Sequence, residues 1–162
     1  CAQADPRLHP VIQAVWRAII SAAIVRQKPD FTIGAIASSE QTARLFAAGQ
    51  LAVQMTASPA ELCRQIETHQ LDVGIIQAAD LAAVHGQLGL DKPVKIIAAL
   101  PLYKQALQPP AAFVLAADRP EPSGHDRYVV YHQDKAESEL ITAEQLAASS
   151  DLSVLGICTS IG

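Results

Sequence analysis

Aromatic side chains make up only 4% of this 162-residue chain, and charged ones only 17%. With so few aromatics, the core has to be built from Ile, Leu, Val and Ala. The low charge argues against disorder, which needs little apolar surface and much charge to keep apart; here half the residues are apolar. Positive charge is also short: 12 Lys and Arg stand against 16 Asp and Glu, a net charge of −4. No basic stripe relieves that balance, so nucleic acid is not an expected partner. No apolar run approaches the ~18 residues that a membrane-spanning helix needs. The most apolar stretch, residues 11–25, is interrupted by Gln13, Arg17 and Ser21 and lacks the charged lead of a signal peptide. No membrane partner is expected.

Cysteine is nearly missing. Cys1, Cys63 and Cys158 are odd in number and widely spaced, with no CxxC and no zinc-type Cys/His cluster. They read as thiols of a reducing compartment, so the expected location is cytoplasmic, with no metal and no cofactor. Cys1 has two readings. A lipidated first residue would suit an extracytoplasmic binding protein, whereas a chain opening on Cys without Met reads more simply as one whose beginning lies upstream. Gly-x-Ser-x-Gly is absent, and His9, His69, His85, His125 and His132 are scattered. Neither a serine hydrolase nor a histidine-based site is expected.

What is present is a run of alternating elements. Asp5-Pro6 is a helix opening, and a helix is expected over residues 10–27. Val11, Val15, Ile19 and Ala22 fall on one stripe of it, and Ile12, Trp16, Ile20 and Ala23 on the next, a face too wide for a surface helix. Lys28-Pro29 ends it. Strands are expected at 31–36, 51–55, 71–76, 94–100, 112–117, 127–132 and 152–158. Helices are expected after the Ser38-Ser39-Glu40-Gln41 capping box with Gly49 as C-cap, after Ser58-Pro59-Ala60-Glu61, over 78–84, and after Thr142-Ala-Glu-Gln145. Gln108-Pro109-Pro110 is a linker, and residues 119–124 form the clearest break. Strands alternating with helices imply an α/β sheet with helical crossovers.

Residues 9–27, HPVIQAVWRAIISAAIVRQ, resemble the third helix of the all-helical chorismate mutases: Trp16, Arg17, Ile19, Ile20 and the closing Gln27 match that family's pattern. The resemblance implies that Gln27 reaches the ether oxygen of chorismate, and that position 23, often Ser in the family but Ala23 here, lies beside the substrate. Residues 58–81, with Leu71-Asp-Val-Gly-Ile-Ile76, are similar to the prephenate dehydratase core. Residues 112–115 and Glu121-Pro-Ser-Gly-His-Asp-Arg127 resemble the junction of that domain with an ACT domain. The order matches the bifunctional mutase–dehydratase proteins. It implies three parts: residues 1–29, the last mutase helix; residues 30–119, a dehydratase-like α/β domain of the type II periplasmic-binding kind; and residues 120–162, a partial ACT-like βαβ segment.

The departures carry as much meaning. Where dehydratases have Gly-Pro-x-Gly-Thr/Ser-x-Ser, this chain has Ala35-Ile-Ala-Ser-Ser-Glu40. Their Thr-Arg-Phe aligns with Ala111-Ala112-Phe113, and their Glu-Asn-Ser with Gln77-Ala78-Ala79. Alanine neither donates a proton nor binds a carboxylate, so dehydratase activity is not expected, and Thr32, Thr42 and Thr56 are the only nearby substitutes for a divergent one. The mutase half is incomplete too. Chorismate is a dianion held by several cationic side chains, and one Gln on one helix cannot compact it.

Other residues have plainer readings. Arg26 and Lys28 suit a helix C-terminus. Ser38-Ser39-Glu40 is a cap before it is an anion site. Asp134-Lys135 lacks the Gly of an effector-binding ACT turn, and Glu137, Glu139 and Glu144 form a solvated acidic face. The expectation is therefore a non-catalytic accessory region of a chorismate mutase. The intact protein would take chorismate to prephenate and dimerise through the N-terminal helix. A small-ligand module for amino or keto acids is the alternative, and a divergent prephenate dehydratase a more distant one.

Overall fold

The computed structural model describes residues 9–100, 110–118, 126–149 and 152–159, with the side chains of residues 9–14, 16, 17 and 159 left aside. Cys1, the Asp5-Pro6 opening, residues 108–109 of the linker, the 119–124 break and His125 lie outside these residues. So do the side chains of Val11, Ile12 and Trp16.

The chain runs α1 (His9–Gln27), β1 (Thr32–Ala35), α2 (Glu40–Ala47), β2 (Ala52–Met55), α3 (Pro59–Glu67), β3 (Val73–Gln77), β4 (Lys95–Leu100), β5 (Ala112–Ala116), β6 (Asp126–His132), β7 (Glu137–Ile141), α4 (Ala143–Ala147) and β8 (Ser153–Thr159). The fold is mixed α/β. The strands make one eight-stranded sheet in the order β2-β1-β3-β5-β4-β8-β6-β7. Pairing is parallel for β1 with β2 and β3 and for β4 with β8, and antiparallel elsewhere.

Side-chain alternation along the strands divides the core in two. Ile33, Ala35, Val73, Ile75, Ala112 and Val114 face α2, through Ala43 and Ala47, together with the inner side of α1, through Ile24 and Val25. Ile76, Ile96, Phe113, Leu115, Val129 and Leu155 face α3, through Leu62, Cys63 and Ile66, and the 3-10 turn Ala78–Ala83, through Leu81. Gly34 and Gly74 are register partners on the α3 side. A Cβ at Gly34 would lie 2.3 Å from Leu71 Cδ1, and one at Gly74 2.8 Å from Ile66 Cδ1. The bare floor lets Leu62, Ile66 and Leu71 sit close against the strands.

Several local expectations change. Ser39 does not cap α2; its hydroxyl turns inward and donates to the Ile75 carbonyl at 2.6 Å. Two left-handed residues close α2, Ala48 (φ 50°) and the expected Gly49 (φ 73°). Ser58 does cap α3, accepting from the Glu61 amide at 3.2 Å, but the Glu61 carboxylate turns to Arg64 and Gln65 instead of completing a capping box. The box at the start of α4, Thr142 with Gln145, is complete in both directions. The helix expected over 78–84 is a 3-10 turn.

β7 was not among the expected strands. Its Glu137 and Glu139 do face solvent, but on alternate positions of a strand whose last residue, Ile141, is buried. Because β7 reverses the chain, β6 and β8 pair antiparallel, whereas a βαβ crossover would leave them parallel. Helical crossovers join the parallel trio β2-β1-β3, and α4 carries the chain past β6 from β7 to β8, which run parallel to each other. β8 enters between β4 and β6, and its pairing with β4 rests on one register partner, Ile96 with Gly156. A Cβ on Gly156 would lie 2.1 Å from the Ile96 carbonyl oxygen, so only glycine permits this approach. Residues 30–118 and 126–159 thus contribute strands to a single sheet.

Candidate functional site

The chain leaves β1 for α2 and β2 on one side, then crosses by α3 to β3 on the other. The sheet order therefore reverses between β1 and β3. In open α/β sheets ligands lodge outside the carboxyl ends of the strands at such a point. The loops there are 36–40, after β1, and 77–80, after β3. Antiparallel β5 also begins at this end: Ala112 is the register partner of Gln77, and the Ala78 amide donates to the Ala111 carbonyl at 3.0 Å.

The three segments compared with dehydratase motifs in the sequence, 35–40, 77–79 and 111–113, are therefore neighbours in space. They are far apart in sequence. Side chains tie them together. Ser38 donates to Asp80 Oδ2 at 2.6 Å, and the Gln77 amide donates to the Ser38 carbonyl at 3.3 Å and to Thr42 Oγ1 at 2.9 Å. Ser39 is fully buried beneath them, and Thr56 at the end of β2 donates to the Ala35 carbonyl at 3.2 Å. Ala112 and Phe113 are buried strand residues of β5. Thr32 lies at the opposite end of β1, away from these loops.

Asp80 was missed by sequence reading. It lies in the first turn after β3, where an acid reads as a helix-start residue. Its role as Ser38's partner depends on how two loops 42 residues apart meet.

The residues singled out by the mutase resemblance lie elsewhere. Gln27 closes α1, and steps of four place Val15, Ile19, Ala23 and Gln27 along one side of it. All four are exposed: Val15 is 52% and Ile19 53% accessible, and Ile20 beside them 39%. Arg26 is exposed as well. The opposite side of α1 is the one the protein covers. Ser21 is buried and donates to the Phe46 carbonyl at 3.3 Å, and Ile24 and Val25 pack on the core.

The end of α1 is tied down through Asp72, just before β3. Its Oδ2 accepts from the Thr32 amide at 2.8 Å and from the Thr32 hydroxyl at 3.3 Å, and its Oδ1 pairs with Lys28. Partial burial pushes the Asp72 pKa up, but the hydrogen bonds from Lys28 and Thr32 and the Lys28 charge outweigh it, leaving the pKa below its ordinary value. The Lys28 pKa is raised, chiefly by its hydrogen bond to Asp72.

Among the described residues the other titratable groups form no centre. Burial pushes the Cys63 thiol up to about 11 and the Cys158 thiol up to about 12, so both are inert thiols. His85 stacks on Tyr131 at 4.4 Å, His132 meets Glu139 at 2.9 Å, and His69 is exposed. A shallow depression of about 300 Å³ beside the β6–β7 turn is lined by Tyr131, His132, Gln133, Asp134, Leu152 and Ser153. Among the described residues there is no cluster that could hold a metal ion, and no helix long and apolar enough to cross a membrane. Comparison of the chain with protein-family models, with curated proteins and with solved structures gave no match.

Proposed function

We propose that this chain is the accessory part of a chorismate mutase of aromatic amino acid biosynthesis, joined to the last helix of the mutase itself. In this reading α1 belongs to the mutase part, residues 1–29, residues 30–119 are a dehydratase-like body without dehydratase activity, and residues 120–162 are a partial ACT-like segment. One observation carries the reading. The side of α1 holding Gln27 and Ala23, the positions singled out by the family resemblance, is the side that the body leaves uncovered, and it is apolar toward its middle. A helix with Val15, Ile19 and Ile20 exposed suits burial in a helical bundle. We further propose that this bundle is a homodimer through α1, in the cytoplasm.

The chemistry asked of Gln27 is modest. Chorismate rearranges by forming one C–C bond while its ether C–O bond breaks, with no covalent help. An amide N–H donated to the ether oxygen stabilises the negative charge that develops there. In the natural protein at its full length, Gln27→Ala should lower kcat for chorismate to prephenate by about 100-fold, as loss of one such donor does. The assay is loss of chorismate absorbance. Unchanged turnover in the variant, or no mutase activity in the parent, would reject the reading.

The meeting of these loops supports a second reading, a binding module for a small amino or keto acid. Ser38, Thr42, Gln77 and Asp80 converge where the sheet order reverses. A thermal shift with prephenate, phenylpyruvate or phenylalanine, abolished by Asp80→Ala, would favour it.

A further inference from the structure

The end of α1 has to be held still if Gln27 is to meet one atom of a substrate. Ser21, Ile24 and Val25 seat α1 on the body, but Gln27 is the last residue of the helix and is exposed. The next residue, Lys28, reaches across to Asp72, 44 positions away in sequence. Asp72 also holds the Thr32 amide and hydroxyl, so one carboxylate grips both ends of the short turn between α1 and β1. Inside that turn the Lys28 amide donates to the Ile24 carbonyl at 2.7 Å and the Phe31 amide to the Lys28 carbonyl at 3.1 Å. The turn is thus closed by its own backbone and anchored to the body by the Asp72 carboxylate and by Phe31, which packs partly buried against the core. Asp72 lies between Leu71, which is packed in the core, and Val73 of β3, so its backbone is fixed by the sheet.

We propose that Asp72 is a positioning residue for Gln27: by fixing Lys28 and Thr32 it sets where the last turn of α1 presents the Gln27 amide. The inference rests on the mutase reading above. It gives the dehydratase-like body a task in the reaction without a catalytic group of its own. The body is a rigid mount for the closing turn of the mutase helix, and small displacements of a reacting contact are costly.

The test uses the natural full-length protein. Lys28→Ala removes the tie and leaves Asp72 bonded to Thr32; Lys28 is half exposed, so the fold should survive. Asp72→Asn is the second variant: it keeps an acceptor for the Thr32 amide and loses the charge. Each should lower kcat by about tenfold with KM for chorismate nearly unchanged, since the contact being disturbed strengthens in the transition state. In a Gln27→Ala background neither should lower kcat further, because the group they position is gone. If Lys28→Ala and Asp72→Asn leave kcat intact, or if their effects multiply with that of Gln27→Ala, Asp72 has only a structural role and the proposal is overturned while the mutase reading stands. If Gln27→Ala alone leaves turnover unchanged, the mutase reading fails and takes this inference with it.

Discussion

At the scale of single residues, Asp72 makes the most testable statement about stability. Its pKa is lowered in the folded protein. A carboxyl with a depressed folded pKa adds stability that is fully present above its unfolded value and is lost as pH falls through the folded one. Urea unfolding followed between pH 7 and pH 2 should therefore show a stability loss on the acid side that is smaller in Asp72→Asn. If the two acid limbs were parallel, the Lys28 and Thr32 contacts would not hold the charged form in solution. Ala48 gives a second prediction. It carries a Cβ at φ 50°, where glycine is unstrained. Ala48→Gly should be neutral or should stabilise by up to about 1 kcal/mol, against the usual loss on placing glycine in a helix. A denaturant midpoint checks it.

At the scale of elements, the glycine floor under α3 decides how near that helix lies to the sheet. Gly74→Val should cost about 1–3 kcal/mol through overpacking against Leu62 and Ile66. Ser58→Ala should cost about 1 kcal/mol through loss of the cap. Calorimetric melting separates the two sizes. The contrast also shows what could be read in advance. Ser58-Pro59 and Thr142 with Gln145 signalled their helices because a cap is a contact between near neighbours in sequence. The strands of β1, β3 and β5 were legible as short apolar runs. β7 was not, because Glu137, Ser138 and Glu139 put polar groups on consecutive positions and the strand's only buried residue is its last. Ser39 looked like a cap, yet its true partner is the Ile75 carbonyl 36 residues away. The candidate site was half legible. Its segments could be marked by resemblance, but Asp80 and the meeting of the loops follow only from strand order.

At the scale of the whole molecule, two joints matter. The first is the junction of β4 with β8. Gly156→Ala should push the strands apart at Ile96 and convert one cooperative urea transition into two, the parallel trio with its helices separating from the β6-β7-β8 segment. Coincident fluorescence and circular dichroism curves in that variant would show that other contacts hold the sheet together. The second is the open side of α1. If the dimer forms there as proposed, Ile19→Glu should yield monomers by light scattering at concentrations where the parent is dimeric.

The two rims of the sheet are chemically unequal. One rim is β7, with Glu137 and Glu139 exposed; the other is β2, where Ala52, Gln54 and Met55 are exposed and uncharged. Unpaired strand edges invite addition of another strand, and charge on the edge discourages it. Two copies meeting rim to rim can join through β2, and the pair then presents only acidic β7 rims outward. Growth along the sheet itself then stops at two copies.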